Sequence, residues 1–188
     1  MEGNVSKYYT AIYDVAKAMN STLNVEEVLK TIVEGAATAA SAKGCALMLL
    51  SPDRKSLRHS VSYGLSEWYL RKGPVSVDIS IAEALKGNAV AVLNAPEDDR
   101  IQYREEAKNE GIASILCVPV MLREEVIGVM RLYTAEQRYF DMDDIYFLGV
   151  VANLGAIALE KASLYQSLKK DYEALTQPKD FVLEPMPF

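Results

Sequence analysis

The sequence predicts an α/β domain of the α+β type. A central antiparallel sheet of five or six strands carries helices on one face and a loop-and-helix lid on the other, with long helices at both ends. Two observations carry that expectation. Residues 112–122 read IASILCVPVML and residues 126–133 read VIGVMRLY, with only Arg123-Glu124-Glu125 between them. Two β-rich runs joined by a few polar residues make a hairpin. In the second run Val126, Gly128, Met130 and Leu132 alternate with Ile127, Val129, Arg131 and Tyr133, and only the latter set contains a charge. Both faces of the sheet are therefore covered, one fully and one around something polar, which places this hairpin in the centre rather than at an edge.

The other elements follow in order. Val5, Tyr8, Ile12, Val15 and Met19 fall at spacings of three and four, an apolar stripe on a first amphipathic helix that suits a coiled-coil seam. Asn20-Ser21-Thr22 interrupts it. Asn24 with Glu27 three residues on reads as an N-cap and its capping-box partner. The helix that follows carries Val25, Val28, Leu29, Ile32, Val33 and Ala36 and stops before Gly44. Residues 45–51 form a wholly apolar strand and residues 52–55 a turn. Residues 56–63 alternate, with Leu57, His59, Val61 and Tyr63 on one face and Arg58, Ser60 and Ser62 on the other. Residues 64–77 read as a loop with a helical turn over 67–72 that holds the single tryptophan, Trp68. A short helix over 79–86 starts near Ser80 and stops at Gly87. Residues 89–93 are a strand, 94–100 a polar loop, and 103–110 a short helix leading into the central hairpin.

The last helix is expected from residue 141 to about 175, long for one domain. One of its seams is Phe147, Val150, Leu154, Ile157, Leu164 and Leu168, broken by Lys161. The other is Leu148, Val151, Gly155, Ala158, Ala162 and Tyr165. One can cover the sheet while the other meets a second helix. After Gln177-Pro178 the tail is apolar, with Phe181, Val182, Leu183, Met186 and Phe188. The expected division is an N-terminal helix over 1–22, a domain over 23–165, and a helix extension with tail over 166–188.

Taken in order, Ala113 to Val120 (ASILCVPV), then Val126-Ile127-Gly128-Val129, then Tyr139-Phe140-Asp141-Met142-Asp143-Asp144, then residues 154–162 ending in Ile157-Ala158-Leu159-Glu160-Lys161-Ala162, resemble the second half of a GAF domain. The resemblance covers about residues 23 to 165 and is weaker in the first half. It implies a non-catalytic sensor or regulatory module that binds a small molecule and signals through terminal dimerisation helices, with a signalling protein as a further partner. Two alternatives stand beside it: a ligand-free dimerisation platform, and a GAF-type methionine sulfoxide reductase.

Bulk properties bound the remaining classes. The chain has 188 residues, half of them hydrophobic, which suffices for one well-filled core. A net charge of −6, without any Lys/Arg cluster longer than a pair, argues against a nucleic-acid partner. There is no uninterrupted apolar run of about 18 residues and no signal-peptide pattern after Met1-Glu2-Gly3-Asn4. A cytoplasmic location without a membrane partner is expected. Cys45 and Cys117, the two cysteines, both lie in apolar runs and read as buried reduced thiols. The sequence has no nucleophile elbow, HExxH, phosphate-binding glycine loop or CxxC, so no catalytic residue and no metal site is assigned.

Candidate ligand-binding residues are Ser62, Trp68, Ser80, Asp99, Arg100, Cys117, Arg131 and Tyr133. Arg131 stands among apolar neighbours on a central strand, where a charge costs several kcal/mol, as a rough scale, unless it is paired. It either salt-bridges a helix carboxylate or presents a guanidinium to a pocket. Ser80 at a helix start caps that helix or, with the free amides there, holds an anion. Asp99-Arg100 partly matches the Asp-Pro-Arg end of a family loop; the alternative is a solvated turn pair. His59 is the residue through which some GAF sensors would hold haem, against the commoner outcome of a hydrogen-bonded core histidine. The cofactor is otherwise unassigned.

Overall fold

The computed structural model describes residues 2–22, 24–77 and 82–176. Six strands form one antiparallel sheet: β1 (Gly44–Leu50), β2 (Ser56–Tyr63), β3 (Val75–Ser76), β4 (Val90–Val92), β5 (Ser114–Leu122) and β6 (Glu125–Thr134), in the order β3-β2-β1-β6-β5-β4. The β5–β6 hairpin is central, as its two-sided burial requires. Its turn is tighter than the spacing predicts, because Leu122 already pairs with Glu125 and Arg123 takes a positive φ of 58°.

Helices α1 (Glu2–Ser21), α2 (Val25–Ala39) and α5 (Met142–Thr176) cover one face. Asn24 starts α2 by accepting from the Glu26 amide at 3.1 Å, and its own amide group donates to Glu27 Oε1 at 3.0 Å. The predicted cap pair thus forms side chain to side chain. Leu148, Val151, Ala152, Gly155, Ala156 and Ala158 of α5 are buried with Leu47, Leu116, Val118, Val120, Met130 and Leu132 of the sheet. Small residues let the helix lie close: a Cβ on Gly155 would sit 3.1 Å from Leu47 Cδ1. By length and composition α5 would also suffice to cross a membrane, yet its first half is spent on this core.

Two expectations are corrected. The stripe on α1 is not an open coiled-coil seam. Tyr8, Ala11 and Val15 are buried against α2 and α5, and Tyr8 stacks on Phe147 with ring centroids 4.0 Å apart. The Tyr8 hydroxyl donates to Asp144 Oδ1 at 2.5 Å, and Arg138 closes the same carboxylate from the other side. A 20-residue helix that joins the core through a stack and a buried hydrogen bond is part of the domain. The second correction concerns β2, whose side chains do not simply alternate. Leu47 pairs with Val61 but Met48 pairs with His59, so Ser60 is an extra residue in a β-bulge. The bulge shifts the phase by one. Leu57, His59 and Ser62 share the face away from the helices, and Val61 turns to the helix side.

The second face lies under a lid built from α3 (Glu67–Leu70), β3, a 3-10 turn (Ala84–Lys86), β4, the loop to Ile101 and α4 (Arg104–Glu110). Gly87 and Gly111 end the last two helical pieces in the left-handed conformation, at φ 90° and 72°. Residues 79–81, at the start of the predicted helix, and the tail over 177–188 lie outside the described residues.

Candidate functional site

The lid face is divided where the helix face is continuous. One apolar cluster gathers Ala46, Tyr69, Val92, Ile101, Ile115 and Tyr133; a second gathers Met48, Leu57, Val75, Ala84, Cys117 and Val129. On β6 the residue between Val129 of the second cluster and Tyr133 of the first is Arg131. It is 5% exposed and pairs across the sheet with two small residues, Ala46 on β1 and Cys117 on β5. Small neighbours leave room for a guanidinium between the two clusters.

Two more nitrogen-bearing side chains lie on this face. The bulge turns His59 beneath the lid, next to Lys72 from the end of α3, with Lys72 Nζ 3.4 Å from His59 Nε2. Lys72 Nζ also donates to the Tyr69 carbonyl at 3.1 Å and lies 3.5 Å from the centroid of the Tyr69 ring, a cation–π distance. The Tyr69 ring meets that of Tyr133 edge to face, at 6.1 Å between centroids and 82° between planes. Lys72 makes no ion pair among the described residues. Glu110, the nearby acid of α4, is instead held by the amide and hydroxyl of Ser66, which ties α3 to α4.

The electrostatics follow from burial among like charges. Burial, reinforced by the neighbouring Lys72 and Arg131 cations, pulls the His59 pKa down to about 4, so the ring is neutral at pH 7. Burial and then Arg131 lower Lys72 to about 8, with Glu106 and Glu110 acting the other way. Burial raises the Cys117 thiol, against the opposing influence of the guanidinium that hydrogen-bonds it. That thiol stays protonated. Where His59 Nε2 accepts from Lys72, Nδ1 carries the hydrogen, and this buried Nδ1 has no hydrogen-bond partner among the described residues. On this face the His59 Nδ1 donor is free to meet an acceptor oxygen.

Of the residues singled out from sequence, the structure brings Ser62, Cys117, Arg131 and Tyr133 to this face. It places three elsewhere. Trp68 is 54% exposed because the turn of α3 sends the adjacent Tyr69 inward instead. Arg100 grips Asp98 on the surface, and Asp99 pairs outward with Arg104, which is the geometry of a solvated turn. Ser80 lies outside the described residues. Sequence reasoning missed Lys72 and Tyr69, which no motif marks. The haem expectation for His59 finds poor support, since Nε2 faces an amine at 3.4 Å and two cations crowd the ring. Among the described residues no cluster of metal-ligating side chains occurs.

The family model described as GAF domain matches residues 22–160. The chain belongs to the GAF domain family. No curated protein matches it. The GAF fold itself recurs in solved structures. The GAF domain of a phosphoenolpyruvate-protein phosphotransferase from Coxiella burnetii superposes with a TM-score of 0.76 at 17% identity, over 87% of this chain and 99% of that one. A free methionine-R-sulfoxide reductase from Neisseria meningitidis, in complex with its substrate, gives 0.71 at 16% identity, over 86% and 93%. Residues 122 to 287 of a methyl-accepting chemotaxis protein give 0.65 at 17% identity, over 81% and 99%. At these identities the likeness is one of fold. GAF domains are modules of sensor and regulatory proteins, and this chain is one of them.

Proposed function

We propose that this GAF domain is a non-catalytic sensor that binds a small anion beneath its lid and signals as a homodimer through its terminal helices. The observation that supports this most is the polar seam between the two lid-side clusters: His59, Lys72 and Arg131 converge there, whereas the opposite face of the same sheet packs in one continuous apolar cluster. The reductase alternative is disfavoured by the thiols. Cys45 packs on the helix side and Cys117 on the lid side, so the sheet separates them, and burial raises both pKa values. The module works in the cytoplasm and passes its state to a protein partner. Native mass spectrometry of freshly purified protein tests the ligand: a retained small anion is expected, and a bare chain with an unresponsive lid favours the ligand-free platform.

The dimer rests on α5. Ile157, Leu164, Leu168 and Leu175 are more than half exposed, and with Val150 and Leu154 they follow a three-and-four spacing along one side of the helix. Lys161 interrupts the stripe but is engaged with the Met19 carbonyl of α1 at 3.1 Å. A second copy of the same stripe is the occupant that fits, side by side and parallel. Light scattering at micromolar concentration should give a dimer for the wild type and a folded monomer for Leu164→Glu with Leu168→Glu. A wild-type monomer would end the proposed signalling route.

A further inference from the structure

We propose that residues 181–188 of this chain dock in an apolar groove at the turn end of the β5–β6 hairpin, folded back along their own α5. The inference stands apart from the lid-side site, since the groove adjoins the helix-side core.

The helix-side core is left open at one end. Leu49, Leu50, Leu122 and Ile127 of the sheet and Leu159 and Leu164 of α5 line a groove there. The first five are half-buried, and Leu164 is 64% exposed. Leu49, Ile127 and Leu159 already pack on the helix-side core, so the groove is its uncovered continuation rather than a separate patch. Arg123 reaches from the hairpin turn to Glu160 of α5 at 2.9 Å and marks the rim. On a period of about 3.6 residues, Leu159 and Ser163 lie on the flank of α5 away from Ile157 and Leu168. The groove and the proposed dimer stripe therefore share only Leu164.

Composition and reach select the occupant. Phe181, Val182, Leu183, Met186 and Phe188 are apolar side chains in need of cover. Pro178, just past the last residue of α5, favours a change of direction, and Pro185 and Pro187 favour an extended chain. At about 1.5 Å per residue the helix rises about 18 Å from Leu164 to Thr176, and about 25 Å from Leu159. A chain returning from Pro178 at about 3.3 Å per residue covers about 17 Å by Leu183 and about 26 Å by Met186. Leu183 thus arrives at Leu164 and Met186 at Leu159. On the way Asp180 passes Lys170, which stands on the same flank of α5 as Ser163 and supplies the opposite charge. Being tethered, the segment has an effective concentration on the order of millimolar, so a modest apolar contact fills the groove. Docked, it ties the turn of the central hairpin to the output half of α5.

Hydrogen exchange on the full chain, wild type against Phe181→Asp with Leu183→Asp at equal concentration, provides the test. The two substitutions leave every described residue unchanged. Residues 159–170 of α5 and the hairpin turn over 122–125 should exchange several-fold faster in the variant, and residues 114–120 alike in both. A disulfide then separates the chain's own segment from a neighbour's. Both native cysteines are buried, so Ser163→Cys with Glu184→Cys introduces the only accessible thiol pair among the described residues and the tail. Mild oxidation should close it within one chain. Equal exchange in wild type and variant would overturn the proposal. Disulfides formed only between chains would overturn it too, by assigning the groove to the tail of a second copy. Groove protection that rises with protein concentration and survives the two aspartates would show that a second copy's folded domain covers the groove, and the proposal would fail.

Discussion

The two faces of one sheet are built to different rules. On the helix side, Leu47, Leu116, Val118, Val120, Met130 and Leu132 meet α2 and α5 in a single apolar cluster. On the lid side, the same strands send out Ala46, Met48, Cys117 and Arg131, β2 adds His59, and the apolar residues divide into two clusters with the polar seam between them. The cover differs as well. A 15-residue and a 35-residue helix lie over the first face, whereas a four-residue helix, a three-residue 3-10 turn and a seven-residue helix lie over the second. Local stability follows buried apolar contact, so the helix side is the frame and the lid side the part able to respond.

Adjacent residues on β5 break or sharpen that contrast most directly. Leu116 points to the frame and Cys117 to the seam. Leu116→Ala should cost about 2–5 kcal/mol of unfolding free energy in urea titration, and Cys117→Ala only about 1 kcal/mol, from the smaller volume removed. Equal losses would mean that the lid side is packed as a second frame.

The next effect is a pH dependence confined to the seam. His59 has a folded pKa of about 4 against 6.5 ordinarily, so the unfolded chain binds a proton that the native state resists. Its contribution is therefore fully present above pH 6.5 and is lost as pH falls from 6.5 to about 4. After discounting for partial exposure the loss is at most about 2–3 kcal/mol. His59→Gln should flatten the stability profile in that window. A variant as steep as the wild type would place the titrating group elsewhere.

The smallest effect is expected at the outer layer of the frame. Tyr8→Phe keeps the stack on Phe147 and removes the hydrogen bond to Asp144, at a cost of about 1–2 kcal/mol in thermal or chemical unfolding. An unchanged midpoint would show that α1 is held by packing alone.

Much of the frame was legible in the sequence. The alternation around Arg131, the apolar run of β1 and the two seams of α5 give the central hairpin, the covered sheet and the long helix directly. The sequence also marks Arg131 and His59, because a charge or an imidazole inside an apolar alternation stands out. What it could not give is phase. Ser60 is an ordinary strand residue, so nothing announces that it bulges, and the bulge alone decides that Val61 leaves the face of His59. In α3 one helical step separates the exposed Trp68 from the buried Tyr69, and composition favours the wrong one. The role of Tyr8 was hidden for another reason: its partners, Asp144 and Phe147, lie across the whole domain in sequence. Lys72 gains its surroundings only when the lid folds over His59.

Hydrogen exchange followed by mass spectrometry tests the central claim, that a responsive lid face is carried on a rigid frame. In the free protein, the described lid amides between residues 64 and 101 should exchange well before those of β5, β6 and the first half of α5. Added small anions should slow the lid and leave the frame unchanged. Lid protection as strong as that of the β5–β6 hairpin, indifferent to every small anion, would contradict the account.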